Sequence, residues 1–227
     1  MKILVLIPAR RNSKRLKNKN TKLLGEYPLV TWTIKIATEL DDICDILVST
    51  DDPDIIKIAH ENSVLAPWLR PPELCTDDAT SVDVAIHSLD WYESVCGKVD
   101  GLLLLQPTSP FRERKDLLKG IELFKTCGRQ PVIGVRNSID HPLWTFRKEG
   151  ELLVPFFEEN GFGKRSQDLI ESFTINGSFY LVSPEQLRVS NSFIGIANVP
   201  LLNNNFKANI DIDTQADFDL AQSVLHV

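Results

Sequence analysis

The run Ile3-Leu4-Val5-Leu6-Ile7, closed at once by Pro8, constrains this chain more than any other feature. Five consecutive aliphatic residues with no polar face suit a strand buried on both sides. Similar runs recur at 44–49, 101–105 and 131–135. Between them the apolar period lengthens to that of a helix. Leu29, Trp32, Ile36 and Leu40 mark one helix over 28–40, and Thr50 or Asp51 is placed to cap a second with Pro53 in its first turn. Further helices are expected over 81–95 and 113–125, then a strand over 174–182 and a last helix over 214–225. This alternation predicts an α/β fold, a doubly wound, mostly parallel sheet with helices on both faces, in a single domain over 1–227. The rhythm breaks at about 138–173, a stretch carrying Trp144, Phe146, Phe156, Phe157 and Phe162 but too short for a core of its own. A small inserted lobe is expected there.

Open sheets of this kind bind ligands beyond the carboxyl ends of their strands, so the loops after Ile7, Ser49 and Leu105 are the places to look. The first is distinctive. From Arg10 to Lys22 there are seven basic residues (Arg10, Arg11, Lys14, Arg15, Lys17, Lys19, Lys22) and no acid, although the chain as a whole carries −6. Guanidinium forks and lysine point charges at a strand end suit a triphosphate. The loop has no glycine, so it is neither a dinucleotide fingerprint nor a Walker loop, and Gly163-Lys164 is followed by Arg165 where a Walker loop needs Ser or Thr. A solvated basic turn is the alternative reading.

Asp211 and Asp213 stand two apart in a segment, 208–214, that reads as extended, and alternation then puts both carboxylates on one face. That spacing suits one or two Mg²⁺ ions, which take carboxylates, waters and substrate phosphates. The competing role is a helix N-cap by Asp213 or Thr214. Asp51-Asp52 reads as a cap beside Pro53 with a supporting role at the same end. His60, His87, His141 and His226 form no triad or metal spacing, and Cys44, Cys75, Cys96 and Cys127 no zinc motif. Free, mostly buried thiols are expected, as in a reducing compartment. The net negative charge argues against a nucleic-acid or anionic-membrane partner. No apolar run approaches the roughly 20 residues that span a bilayer, and the first residues lack a signal-peptide core, so a cytoplasmic protein is expected.

Several segments together resemble the CMP-sialic acid synthetases (acylneuraminate cytidylyltransferases). They are Ile7-Pro8-Ala9-Arg10 with Ser13-Lys14 and Lys19-Asn20, Leu69-Arg70-Pro71-Pro72-Glu73-Leu74, Gln106-Pro107-Thr108-Ser109-Pro110-Phe111-Arg112, Arg165-Ser166-Gln167-Asp168-Leu169, Asn176-Gly177-Ser178-Phe179-Tyr180 and Ile210-Asp211-Ile212-Asp213-Thr214. The resemblance implies a Rossmann-like nucleotidyltransferase that moves CMP from CTP to a nine-carbon α-keto acid sugar and releases pyrophosphate. It implies that Arg10 and Lys19 hold the phosphates with Ser13 and Asn20, and that Arg70 and Ser81 lie near cytosine and ribose. Taken alone, Arg70 is a surface residue before a Pro-Pro turn and Ser81 a helix N-terminal serine. The resemblance further implies that Gln106, Arg112, Arg165, Tyr180 and Phe193 surround the sugar, that Asp211 and Asp213 hold Mg²⁺, and that the lobe joins a homodimer. Arg10, Lys19 and Asp213 would be the catalytic set.

Two departures stand out. Ile170 follows the Arg165 motif where the family usually has Pro, and Trp144 stands where some members carry a lysine. With Phe193-Ile194, Trp144 suggests a less polar sugar of the legionaminic or pseudaminic kind. The alternatives are a 3-deoxy-octulosonate cytidylyltransferase, against which Lys19-Asn20 and the Gln106–Pro110 run argue, and a non-catalytic nucleotide-binding module on the same fold.

Overall fold

In the computed structural model, which describes residues 1–225, the first aliphatic run is β1 (Ile3–Pro8). His226 lies outside the described residues. After the basic loop a tight hairpin, β2 (Leu23–Leu24) and β3 (Tyr27–Pro28), leads into α1 (Leu29–Thr38). Then come β4 (Asp45–Ser49), α2 (Pro53–Glu61), α3 (Ser81–Cys96), β5 (Gly101–Leu104), α4 (Arg114–Thr126) and β6 (Val132–Asn137). The next stretch holds only the hairpin β7 (Phe146–Glu149) and β8 (Leu152–Pro155), before β9 (Phe173–Val182), α5 (Pro184–Ser190), β10 (Val199–Leu202) and α6 (Gln215–Val224).

Six strands form the main sheet in the order β10-β6-β9-β5-β1-β4. Only β9 runs antiparallel to its neighbours, and the other pairings are parallel. Strands β1, β4 and β5 and the first four residues of β6 are buried on both faces, which explains their aliphatic runs. Ile3, Val5 and Ile7 point into one core with Val30, Ile34, Ile55 and Phe124, while Leu4 and Leu6 point into the other with Ala85, Leu89 and Leu187. Among the described residues, the β7–β8 hairpin pairs with no strand of the main sheet.

Three local expectations change. Of the residues read as caps for α2, the cap is Asp52, the second of the Asp51-Asp52 pair, and not Thr50 or Asp51: Asp52 Oδ1 accepts the Asp54 N–H at 3.0 Å. Asp51 instead accepts the Arg11 N–H at 2.7 Å and so ties down the base of the basic loop. Segment 210–214 is a loop following a 3-10 turn rather than a strand, yet it keeps the alternation, with Ile212 fully buried between two outward aspartates. No cysteine is fully buried: Cys44 and Cys75 are half-buried, Cys96 and Cys127 exposed, all four as free thiols.

Candidate active site

A cavity of about 610 Å³ opens at the carboxyl ends of β1 and β5. Its wall includes Arg10, Ser13, Lys19, Asn20, Arg70, Ser81, Gln106, Asp211 and Asp213, nine of the residues singled out from sequence. The chain brings them together from five separate segments.

The basic loop is held in shape rather than left to solvent. Leu16, the one apolar residue between Arg10 and Asn20, inserts into a small core with Leu24, Leu29, Ile210, Ile212 and Phe218. That same core anchors the Asp211–Asp213 segment, so the phosphate-type loop and the acidic pair share one foundation. Asn18 takes a left-handed conformation (φ 53°), and its carbonyl accepts the N–H groups of Thr21 and Lys22. Asn20 is buried and donates Nδ2–H to the Arg10 carbonyl at 2.9 Å, closing the loop on itself. Asn20 therefore shapes the loop while also lining the cavity.

Lys19 Nζ donates to Asp213 Oδ1 and to the Ile212 carbonyl, both at 3.0 Å, and Arg15 Nη2 reaches Asp213 Oδ2 at 2.7 Å. Asp211 faces the cavity two residues away. Its surface is open, but the concave wall around it desolvates the charge, and this burial, with the nearby Asp213 charge, pushes its carboxyl above the ordinary carboxylate range. A hydrogen bond from Thr108 and the charges of Lys19 and Arg112 act the other way. Thr214, not Asp213, caps α6: its hydroxyl accepts the Asp217 N–H, and Asp217 reciprocates in a capping box. The cap and the acidic pair are thus separate residues.

Two carboxylates on one wall of this cavity are the donor type for Mg²⁺, which keeps several waters and binds through one or two carboxylates plus substrate phosphates. Each oxygen of Asp213 already has a cation on it, Arg15 on Oδ2 and Lys19 on Oδ1, so an ion held there would share or replace those contacts.

Arg70 is buried, and its guanidinium donates to Ser49 Oγ at 3.0 Å and to the Ser49 carbonyl. Burial lowers its pKa, and it is not the surface residue of the alternative reading. Ser81 opens α3, whose cap is the neighbouring Thr80.

Four residues expected around the sugar, Arg112, Arg165, Tyr180 and Phe193, do not line this cavity. Arg112 does not reach the cavity. It is buried, and its guanidinium donates to the carbonyls of Gln106, Ser109 and Ser178 and to Thr33 Oγ1. With four N–H groups directed at the protein, it holds the Gln106 loop in place. Arg165 is exposed on the 138–172 segment, paired with Asp168 at 3.0 Å, and does not line the cavity of its own chain. Tyr180 and Phe193 do pack together, ring centroids 6.0 Å apart, but Phe193 belongs to the core and neither lines the cavity. Tyr180 is close enough to Asp211 for that charge to help burial raise its phenol pKa. Trp144 spends its indole N–H on the Gly161 carbonyl at 3.0 Å, within the same segment.

The sequence reading missed Asp77 as a cavity residue and gave no individual role to Lys14, Arg15 and Thr108 in the wall or to Gly177 beside it. Gly177 (φ 74°) sits where β9 bulges, and a Cβ there would lie 3.7 Å from Ser109 Oγ and 3.9 Å from both Asp211 Oδ2 and Gln106 Oε1. The positive φ is the physical reason for glycine at this point, since a Cβ would meet the three oxygens only at ordinary van der Waals distance.

A family model described as cytidylyltransferase matches residues 4–128, more than half of the chain. The chain is also 34% identical to CMP-N,N'-diacetyllegionaminic acid synthase of Legionella pneumophila, over 100% of this chain and 97% of that protein. The chain belongs to the cytidylyltransferase family. Among other relatives, this cytidylyltransferase is 30% identical over 98% of its length to N-acylneuraminate cytidylyltransferase of Escherichia coli O18:K1:H7, and spans about half (52%) of that longer protein. Its fold matches a solved CMP:2-keto-3-deoxy-manno-octonic acid synthetase complexed with CTP, with a TM-score of 0.70, 16% identity and coverage of 100% of this chain and 99% of that one. At that identity the likeness speaks for the fold alone.

Proposed function

We propose that this cytidylyltransferase transfers CMP from CTP to the 2-hydroxyl of a nine-carbon α-keto acid sugar, releasing pyrophosphate. The observation that carries the reading is the convergence of the basic loop, Arg70, Gln106 and the Asp211–Asp213 pair on one cavity at the strand ends. Arg10 and Lys19 hold the β- and γ-phosphates, with Ser13 and Asn20 beside them, and offset the charge that grows on the departing pyrophosphate. Arg70 and Ser81 face the nucleoside end. Asp211 and Asp213 hold Mg²⁺, which when bound polarises the α-phosphate and lowers the pKa of the attacking hydroxyl. Gln106, kept in place by Arg112, orients the sugar above Gly177. The nucleotide half of this reading is tested by pyrophosphate release from CTP, UTP, ATP and GTP with one acceptor: CTP should be strongly preferred, and equal use of a purine nucleotide would refute it.

For the acceptor, the legionaminic type is favoured by the full-length relative of that name. It is not favoured by Trp144, whose indole is engaged inside its own segment. N-Acylneuraminate is the second reading, supported by the relative from Escherichia coli.

The 138–172 segment is proposed as a dimerisation lobe. Leu152, Leu153, Phe156, Phe157 and Ile170 expose 44–79% of their surface there, and Phe146 stacks on Phe162 at 4.6 Å. A partner covering these residues would also carry Arg165 toward a neighbouring cavity. Sedimentation should show a dimer at micromolar concentration, and an active monomer would contradict it. No helix among the described residues is long and apolar enough to cross a membrane.

A further inference from the structure

Asp77 stands across the mouth of the cavity from the basic loop and holds two of its cations. Its Oδ1 accepts from Arg10 Nη1 at 3.1 Å and its Oδ2 meets Lys14 Nζ at 2.6 Å, one cation on each oxygen. Arg10 Nη1 also reaches the Thr76 carbonyl at 3.3 Å. A phosphate presenting two oxygens to the same groups would make the same contacts. We propose that Asp77 is an internal competitor for the phosphate-holding cations: CTP binds by displacing it, and its return helps pyrophosphate leave. This inference rests on the function proposed above.

Solvent exposure decides which ion pair opens. Around Asp213 the lysine partner, Lys19, is only 12% exposed, so that pair is fixed in the wall. Asp77 and Lys14 are 47% and 74% exposed and Arg10 37%, so these pairs exchange with water at little cost. The backbone on each side is tied down independently. Arg11 N–H is held by Asp51, the Ala79 N–H by Thr76 Oγ1, and Thr80 by its capping box with Asp83. Release of Asp77 then needs only a side-chain rotation and leaves the loop and α3 in place. The wall carries five cationic side chains (Arg10, Lys14, Arg15, Lys19, Arg70) against three carboxylates (Asp77, Asp211, Asp213). Asp211 and Asp213 are committed at the other end, which leaves Asp77 as the carboxylate facing Arg10 and Lys14.

The test compares wild type with Asp77→Asn by calorimetric titration of inorganic pyrophosphate, CTP and CMP, each with Mg²⁺. Asn keeps the size and polarity and removes the charge. Pyrophosphate and CTP should bind about two- to tenfold more tightly to Asp77→Asn, the range expected for freeing two exposed ion pairs. CMP, which lacks the β- and γ-phosphates, should change by less than twofold. Steady-state kinetics should show a lower KM for CTP and stronger product inhibition by pyrophosphate in the variant. Unchanged or weaker pyrophosphate and CTP binding would overturn the proposal, with Asp77 then an ordering contact for the loop. Equal tightening of all three ligands would also overturn it, since that is a general charge effect. If wild type bound no CTP at all, the function itself would fail, an outcome distinct from failure of Asp77 alone.

Discussion

Lys19 Nζ lies 3.0 Å from Asp213 Oδ1, a contact between residues 194 positions apart. It ties the loop after the first strand to the segment before the last helix, and it puts the cation assigned to the leaving group beside a carboxylate assigned to the metal. With Lys19 only 12% exposed, the ammonium is preorganised in a partly dehydrated wall, where it is worth more than in water.

Lys19→Ala should therefore lower turnover on the order of 10²–10³, with a smaller effect on KM for CTP, because charge develops on the pyrophosphate in the transition state. Steady-state kinetics at saturating CTP checks this. Turnover within a few-fold of wild type would reduce Lys19 to a wall contact.

Asp213 and Thr214 are neighbours with separable jobs. Asp213→Asn should abolish Mg²⁺-dependent turnover with the fold intact, since the two side chains are nearly isosteric. Thr214→Ala should cost about 1 kcal/mol of stability through loss of the α6 cap and keep its turnover per folded molecule. Denaturant unfolding combined with a Mg²⁺ titration of the rate reads both. The reverse pattern would exchange the two roles.

The parts of this protein that a sequence displays are those where local chemistry and tertiary position agree. Ile3 to Ile7 could only be satisfied by burial on both faces, and the Arg10–Lys22 charges have no plausible use inside a core. Asp211 and Asp213 kept their alternation although the backbone is not a strand, because Ile212 still had to be buried. Arg112 misleads for the opposite reason. Its charge suggests a ligand, whereas its fork matches a set of carbonyls that converge only after β5, β9 and the Gln106 loop have assembled. Asp77 was silent because an aspartate in a polar turn looks solvated until the fold brings Arg10 and Lys14 opposite it. Gly177 was legible only as part of a motif, since its positive φ arises from the irregular pairing of β9 with β6, which the sequence does not display.

Asp211 has a consequence for stability. Its carboxyl pKa is raised, chiefly by burial, so the folded state binds this proton more tightly than the unfolded chain does. The ionised form therefore costs stability above the folded pKa, and the cost fades as pH falls through that pKa toward the ordinary value near 4. In the presence of a chelator, Asp211→Asn should raise Tm at pH 7, and its advantage over wild type should shrink on acidification. Thermal melts from pH 7 to pH 4 measure it. An Asn variant less stable than wild type at pH 7 would show that Asp211 is a net stabilising contact.

CMP transfer to a nine-carbon α-keto acid sugar is tested by an acceptor panel. Pyrophosphate release from CTP with Mg²⁺ should be measured with N,N'-diacetyllegionaminate, pseudaminate, N-acetylneuraminate and 3-deoxy-octulosonate, and the CMP-sugar product confirmed by mass spectrometry. The nine-carbon acids should turn over, with kcat/KM highest for the legionaminic compound and a margin over N-acetylneuraminate of about 10- to 200-fold, as loss or gain of a single hydroxyl or methyl contact allows. Preference for the eight-carbon acid, or no CMP-sugar from any of the four, would contradict it.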